Sequence, residues 1–325
     1  MRLLNHAAPR ALLEWSGAAD PDIAALAGLA PRLDALFVLA EGAWTVLGGV
    51  FTADGARFSA TGCAAGRRGA LAACLGELAE TLAQQMRPGD LAARGTLTDP
   101  PEGADLTAAE VAVALGLGFD PERPLDWAPA RRLPDGAPCL VPAALVLRGV
   151  GPRPPGAPPL SHGCACGPDP AAALHAATLE LIERAALARW RAGTPARPIA
   201  GAPDVLLLPG EGVPVIAAPS SHAMGVAARD CPDAALAAAR SERAAAEAVR
   251  ASAPGSARPA VRPILGPILP EPCAPAGGDV VDVLERWAAD GAPARSVALS
   301  RSDLGVSVAK VVALRYALND PAALP

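Results

Sequence analysis

Residues 161–190, SHGCACGPDPAAALHAATLELIERAALARW, govern the reading of the whole chain. A run of small residues leads to a proline, which the first helical turn tolerates because its missing N–H would have no partner there. Pro170 therefore marks a helix start, with Asp169 as its N-cap. Leu174, Leu181 and Ile182 supply a buried face, and Gly193 with Pro195 supplies the stop. Glu180, Glu183 and Arg184 fall off that face. The same order of parts recurs at Gly225 to Glu242, GVAARDCPDAALAAARSE, which repeats Gly163 as Gly225, Pro170 as Pro232 and Glu180 as Glu242 without a gap. A further copy, two residues shorter, is GCAAGRRGALAACLGELAE, starting at Gly62 and ending in Glu77 and Glu80. From Ala70 it places Leu71, Cys74, Leu75, Leu78 and Leu82 on one apolar stripe. Three copies of a small-residue loop followed by a helix with an acidic face precede any fold assignment.

Glu77/Glu80 and Glu180/Glu183 are i,i+3 pairs, which puts two carboxylates side by side on one helix face. Any one such pair reads most simply as a solvated face, because exposed like-charge pairs cost only about 0.2–0.5 kcal/mol. Three acidic helices in one register give equal weight to another reading. Hard cations such as Mg²⁺ take oxygen ligands and often hold a phosphate as well, so convergent carboxylates point to a magnesium–nucleotide site. GCAAG and GCACG read as loops running into helix starts, where backbone N–H groups and the helix dipole favour a phosphate. There is no Gly-x-x-x-x-Gly-Lys run and no Gly-x-Ser-x-Gly elbow.

SHGCACG followed by ALHAATLELIERAA resembles the signature of the YcaO superfamily, which is close to Ser-Asn-Gly-x-Ala-x-Gly and then Glu-Leu-Ile-Glu-Arg-Asp-Ala at the same spacing. The Gly62–Glu80 copy is similar to the family's earlier glycine-rich loop with its Glu-x-x-Glu helix, and Gly225–Glu242 to its later helix. DLGVSVAKVVALRY, ending at Tyr316, is similar to its closing strand. The likeness covers about residues 55–316. It implies a YcaO-like α/β (α+β layered) fold, with the three repeated units packed on a mixed sheet, and ATP and Mg²⁺ as cofactors. By resemblance, Glu77, Glu80, Glu180, Glu183 and Glu242 hold Mg²⁺, while Arg184, Gly62, Ser161, Asp169 and Lys310 stand at the ATP phosphates. The implied activity is phosphorylation of a peptide-bond oxygen followed by entry of a nucleophile, which gives azolines, thioamides or amidines. Azoline formation is favoured over thioamidation. The attacking thiol or hydroxyl belongs to the substrate, so this chain's cysteines need no catalytic role.

Several positions depart from the family pattern. The lysine after the first glycine is Cys63, the serine four before Glu77 is Ala73, and the arginine after Glu80 is Thr81. In the central motif, asparagines are replaced by His162 and Pro168, a glutamate by Ala172 and an aspartate by Ala185. Beyond Glu242 the usual glutamine and arginine are Ala245 and Glu247. Asp169, Arg67, Arg68 and Arg243 are candidates to fill the gaps. The alternative function is a scaffold or peptide-binding subunit that has lost ATP turnover. Expected partners are the peptide substrate, a leader-peptide-binding or TfuA-like protein, and a second copy forming a homodimer.

Composition narrows the classes. The net charge is −5 with no basic stripe interleaved with aromatics, so nucleic acid is not expected as a partner. Lys310 is the only lysine. Aromatic residues are only 3% of the chain, so packing relies on close approach of small side chains. No apolar run is long enough to span a bilayer, since Asp204, Glu211 and prolines interrupt residues 199–220, and His6, Pro9, Arg10 and Glu14 break up any signal peptide. The expected location is cytoplasmic. Seven cysteines at irregular spacing fit reduced thiols. His162, Cys164 and Cys166 raise a metal reading, but they share one tight loop and lack the second pair of a four-ligand shell. His6, His162, His175 and His222 form no triad pattern.

Along the chain, a helix follows Asp20-Pro21, and strands are expected at 36–40 and 44–52 around a Glu41-Gly42 turn. Thr107 to Glu110 is a capping box before a helix through Leu117, and residues 140–147 read as a buried strand. Residues 149–160 hold a proline-rich loop. Short strands at 205–208 and 213–217, a helix capped by Asp279, and strands at 296–299 and 306–314 complete a layered structure. Its expected division is an N-terminal helix and small sheet over 1–54 and the YcaO-like domain over 55–325.

Overall fold

The computed structural model describes residues 1–4, 9–17, 21–116, 118–151, 159–252 and 266–314. Most of the proline-rich run (152–158) and the tail from 315 onward lie outside these residues, as do His6 and Leu117. Strand β1 (Arg2–Leu3) is followed by helices α1 (Pro9–Ser16) and α2 (Pro21–Ala27), then by β2 (Ala35–Ala40), β3 (Thr45–Ala53) and β4 (Ala56–Ala64). Asp54 and Gly55, with φ of 48° and 75°, make the tight β3–β4 turn, the left-handed backbone that a two-residue hairpin needs. The four strands form one sheet in sequence order. The expected division at 54/55 falls in this turn, inside a single sheet. Helix α3 (Arg67–Ala83) lies across the sheet and buries Leu71, Cys74, Leu75 and Leu78 completely, the stripe expected from their spacing.

The middle of the chain gives β5 (Ala93–Gly95), α4 (Ala108–Gly116), β6 (Leu125–Arg132) and β7 (Pro138–Pro142). The run expected as a strand to Leu147 leaves the extended conformation at Pro142 and becomes a buried 3-10 turn over Ala143–Leu145. Then come β8 (Cys164–Gly167), α5 (Pro170–Arg191), β9 (Arg197–Ile199), β10 (Ala202–Leu207), β11 (Val215–Pro219), β12 (Met224–Ala228), α6 (Pro232–Ser252), α7 (Val280–Ala289), β13 (Arg295–Ala298) and β14 (Ser307–Val312). Six strands form a central sheet, β5-β6-β13-β14-β8 with β7 on β6, and four form β12-β11-β10-β9.

Every pairing between these strands is antiparallel, so the expected mixed sheet is three antiparallel sheets; parallel contacts occur only as isolated bridges. One core lies between the first sheet, α3 and the central sheet, around Phe51, Leu75 and Trp127. A second packs α5 and α7 against strands of the other two sheets around Trp190 and Trp287.

The capping box is present: Thr107 N donates to Glu110 Oε2 at 2.9 Å, and Glu110 N donates to Thr107 Oγ1 at 3.3 Å. The sequence pattern did not reveal its second use. Both Glu110 oxygens also accept from the guanidinium of Arg295, which is 1% exposed, so α4 is tied to β13 across 185 residues.

Candidate functional site

In an antiparallel ladder alternate residues turn their N–H and C=O away from the partner strand, and on an edge strand those groups have no ladder partner. Each sheet here presents one such edge, β4, β8 or β12, and each edge strand runs directly into a helix, α3, α5 or α6. The small-residue runs expected as loops are therefore largely edge strands. A glutamate from the following helix takes one outward amide in each case. Thr61 N donates to Glu77 Oε2 at 2.6 Å, Cys164 N to Glu180 Oε2 at 3.2 Å, and Val226 N to Glu242 Oε2 at 3.2 Å. The amide precedes its glutamate by 16 residues in all three. That spacing matches Thr61 with Cys164 and replaces the register in which Gly62 matched Gly163 and the first copy was two residues short.

The units interlock. Helix α3 packs on its own β4 and on β8, α5 on β8 and β12, and α6 on β12 and β4. Cys166 N, the next outward amide of β8, donates to Glu80 Oε1 of α3 at 2.9 Å. Ser241 Oγ of α6 donates to Cys63 O of β4 at 3.0 Å and closes the ring. The five glutamates lie together where the three units meet. Glu183 is the deepest at 3% exposure, Glu80 and Glu180 are half-buried, and Glu77 and Glu242 reach water at the acidic cleft between the helices.

Burial dominates the electrostatics. It pushes Glu77 up to about 7, against the Thr61 amide and with help from the charge of Glu242. Glu180 also rises to about 7 through burial, held back by Arg184 and Lys310. Glu80 is driven well above the carboxylate range by burial and then by Glu180. Glu183 and Glu242 are raised by burial and opposed chiefly by Arg184. Arg184 Nη1 lies 3.2 Å from Glu183 Oε1 and its Nη2 lies 3.8 Å from Glu180 Oε1. These mutual influences bring all five expected metal ligands, with Arg184, into one cluster.

The other expected residues have different surroundings. Lys310 is 3% exposed, and its Nζ donates to the carbonyls of Leu160 (2.8 Å) and His162, while its charge reaches Glu180. Ser161 is exposed and its carbonyl accepts from Cys164 N at 3.1 Å. Asp169 is the N-cap of α5, accepting from Ala172 N at 2.8 Å. Gly62 is required by packing, since an added Cβ would stand 2.0 Å from Ala70 O. Among the candidate fillers, Arg67 pairs with Glu41 at 2.9 Å and stacks on Trp15, Arg243 lies 3.6 Å from Asp204, and Arg68 is exposed on the first turn of α3. Sequence reasoning missed Arg229, just past β12, whose charge acts on both Glu183 and Glu242. Only its place after the third edge strand could have pointed to it.

The sequence profile of the family described as YcaO cyclodehydratase, ATP- and Mg²⁺-binding, matches residues 61–211, which contain four of the five glutamates and Arg184. The segment 61–211 is YcaO-like by that match. The fold agrees. YcaO from Methanopyrus kandleri, solved with AMPPCP and Mg²⁺, superposes with a TM-score of 0.68 at 20% identity, over 94% of this chain and 91% of that one. A heterocyclase solved with substrate and cofactor gives 0.67 at 17% identity over 94% of this chain, which spans about half (52%) of that protein. A chain of the E. coli microcin synthetase McbBCD complex with pro-MccB17 bound gives 0.61 at 11% identity, over 86% and 87% of the two chains. No curated protein matches.

The site suits a hard divalent cation in its donors. Burial holds all five carboxyls above the usual carboxylate range, so a cation bound there would displace protons and take up the ionised oxygens. Glu183 Oε1 is buried and makes no hydrogen bond, although Arg184 is near. The described residues hold no finished group of three or more His, Cys, Asp or Glu metal ligands. Four of the glutamates commit one oxygen to an edge amide, so a bound cation would complete its shell with phosphate oxygens and water.

A pH dependence follows. Glutamates whose folded pKa is raised bind more protons in the folded state than in the unfolded one, so their contribution favours folding most at low pH. It is lost as pH rises through 7 and beyond. Without Mg²⁺ the thermal midpoint should fall between about pH 5 and pH 8, and added Mg²⁺ should restore more of it at the alkaline end. Thermal scans in chelator and in Mg²⁺ across that range check this. A chelator midpoint that climbs with pH would contradict it.

Proposed function

We propose that this YcaO-like chain binds Mg-ATP in the acidic cleft and uses it to activate backbone amides of a ribosomally made peptide, with azoline formation favoured over thioamidation. The observation that carries this is the convergence of five glutamates from three helices beside three sheet edges, their pKa values all raised and one buried oxygen of Glu183 left without a hydrogen bond. Bound ATP supplies the phosphoryl group that makes an amide oxygen a leaving group, and Mg²⁺ neutralises its phosphates. This chain's glutamates would hold the metal, and Arg184 would meet phosphate charge at the cleft wall. Lys310 and Asp169 act behind that surface, on the Leu160–His162 carbonyls and the first turn of α5.

The peptide, a protein that presents it, and a homodimeric arrangement complete the proposal. Among the described residues no helix is long and apolar enough to cross a membrane. A scaffold that no longer turns ATP over is the second reading. It is favoured by the small side chains Ala73, Thr81, Ala172 and Ala185 at positions where the family has polar partners.

Thermal melting with and without Mg-ATP separates the two. A nucleotide that binds only the folded protein at a hundred times its Kd adds about 2.7 kcal/mol, so the midpoint should rise by several degrees. No rise at saturating Mg-ATP favours the scaffold.

A further inference from the structure

A cavity separate from the acidic cleft lies where the last turn of α3 meets the β3–β4 turn, the 3-10 turn before β2 and the loop between β13 and β14. Its volume is about 470 Å³, within the roughly 300–1,000 Å³ of small-molecule sites. Arg32, Asp54, Leu82, Met86, Arg87 and Arg301 supply its charged and larger apolar lining. Neither Arg184 nor any of the five glutamates is part of that lining.

The charged groups fall into two sets. Arg32 Nη2 lies 2.9 Å and Arg87 Nη2 3.1 Å from Asp303 Oδ2, and Asp90 Oδ2 accepts from Arg87 N at 2.7 Å. These groups satisfy one another and fix the loop that carries Arg301. Arg301 makes no ion pair among the described residues. Its hydrogen bonds use Nη2 alone, to Ala83 O at 2.7 Å and to Gln85 O, which pins the guanidinium at the end of α3 and leaves Nε and Nη1 without partners. Burial and then the charge of Arg87 lower its pKa, against the pull of Asp90, Asp303 and Asp54. The Asp54 carboxylate also has no hydrogen bond or ion pair among the described residues, although its charge reaches Arg301. One cavity wall thus holds an unpaired cation and an unpaired anion that do not touch, together with Leu82 and the adaptable, exposed thioether of Met86.

We propose that this cavity binds a short apolar peptide with both ends unblocked, its carboxylate on Arg301, its ammonium on Asp54 and its side chains against Leu82 and Met86. Arginine's planar fork matches a carboxylate in two parallel hydrogen bonds. A ligand carrying both charges satisfies both groups at once. A simple anion would leave Asp54 facing it, and a simple cation would meet three arginines. The volume is more than a single amino acid fills. The proposal stands apart from the reading of the acidic cleft.

The experiment is calorimetric titration of the full chain with leucyl-leucine, its N-acetyl form and its C-terminal amide, in chelator and without nucleotide, repeated on Asp54→Asn and Arg301→Gln. The expected result is saturable binding of the free dipeptide by the parent, weakened about fivefold or more by blocking either end, the scale of a partly exposed ion pair. Asp54→Asn should remove the effect of acetylation and keep that of amidation, and Arg301→Gln should do the reverse. Asparagine tolerates the left-handed backbone at position 54, where φ is 48°, so that variant should keep its fold. If Arg301→Gln does not fold, the Asp54→Asn pattern decides alone. No saturable binding by the parent at millimolar dipeptide overturns the proposal, and so does binding that neither blocked end alters. With no nucleotide present, either failure leaves the reading of the acidic cleft untouched.

Discussion

Replacing Glu183 by glutamine is expected to abolish Mg-ATP binding while leaving the apo fold intact. Glu183 is the deepest of the five carboxylates, and burial raises its pKa to about 8, so near neutral pH its carboxyl is largely protonated in the apo protein. Glutamine copies that uncharged shape, and the apo melting midpoint should hold or rise. A metal needs the ionised form, which glutamine cannot supply. The affinity loss should exceed the roughly 10–100-fold that losing even an outer partner costs at a metal site. Calorimetric titration of Mg-ATP into parent and variant measures it, alongside apo melts of both. Equal binding by the two proteins would mean that the acidic cleft is not a metal site.

The largest stability effect is expected far from the cleft, at Arg295 and Glu110. Both are 1% exposed, and the guanidinium is bidentate on the carboxylate, with Asp105 3.6 Å away. Glu110→Leu leaves most of a buried positive charge uncompensated and removes half of the Thr107 capping box. The expected cost is about 3–5 kcal/mol, a large share of the roughly 5–15 kcal/mol that holds a domain together. Pairing Glu110→Leu with Arg295→Met should recover most of the loss, because well-packed apolar groups replace a buried ion pair at little cost. Urea denaturation of the parent, both single variants and the double variant tests this. A Glu110→Leu cost under about 1 kcal/mol, the range of an exposed pair, would refute it.

Much of the site was legible because its residues repeat. Glutamates on helices that follow small-residue runs gave five metal candidates, and the fold brings all five together. The way the repeat is built was not legible. Gly62 and Gly163 look equivalent in sequence but answer to different constraints. Gly62 makes room for the Ala70 carbonyl of α3, whereas Gly163 has a φ of 65° and an added Cβ would meet Val311 O at 2.5 Å. Aligning them created a two-residue gap that the backbone does not have. Strand character was hidden in GCAAG and GCACG because alanine, glycine and cysteine carry little β-propensity; the ladder and the helix above it hold these segments extended.

Arginine roles were equally hidden. Arg67 and Arg243 are close in sequence to the motifs, yet they serve Glu41 and Asp204, while Arg229 lay outside any recognised pattern. The strand over Leu125–Arg132 went unread because Pro129 and two arginines obscure its alternation. By contrast the Asp279 cap, which accepts from Val281 N at 2.8 Å, and the Pro170 helix start were fixed by local rules that tertiary packing does not override.

The contact that shuts the ring joins residues 178 positions apart. On the ribosome, β4 therefore emerges long before α6. At about 5–20 residues per second the interval is on the order of ten seconds or more. Throughout it the outer rim of the first sheet is a bare template for another strand, and the cleft does not yet exist. The nascent chain thus passes through a window of vulnerability to edge-to-edge association that ends only when α6 docks. The binding site waits longer still, because β8 gains its ladder partner only when β14, further along the chain, is made, so protection of the first edge precedes competence to bind.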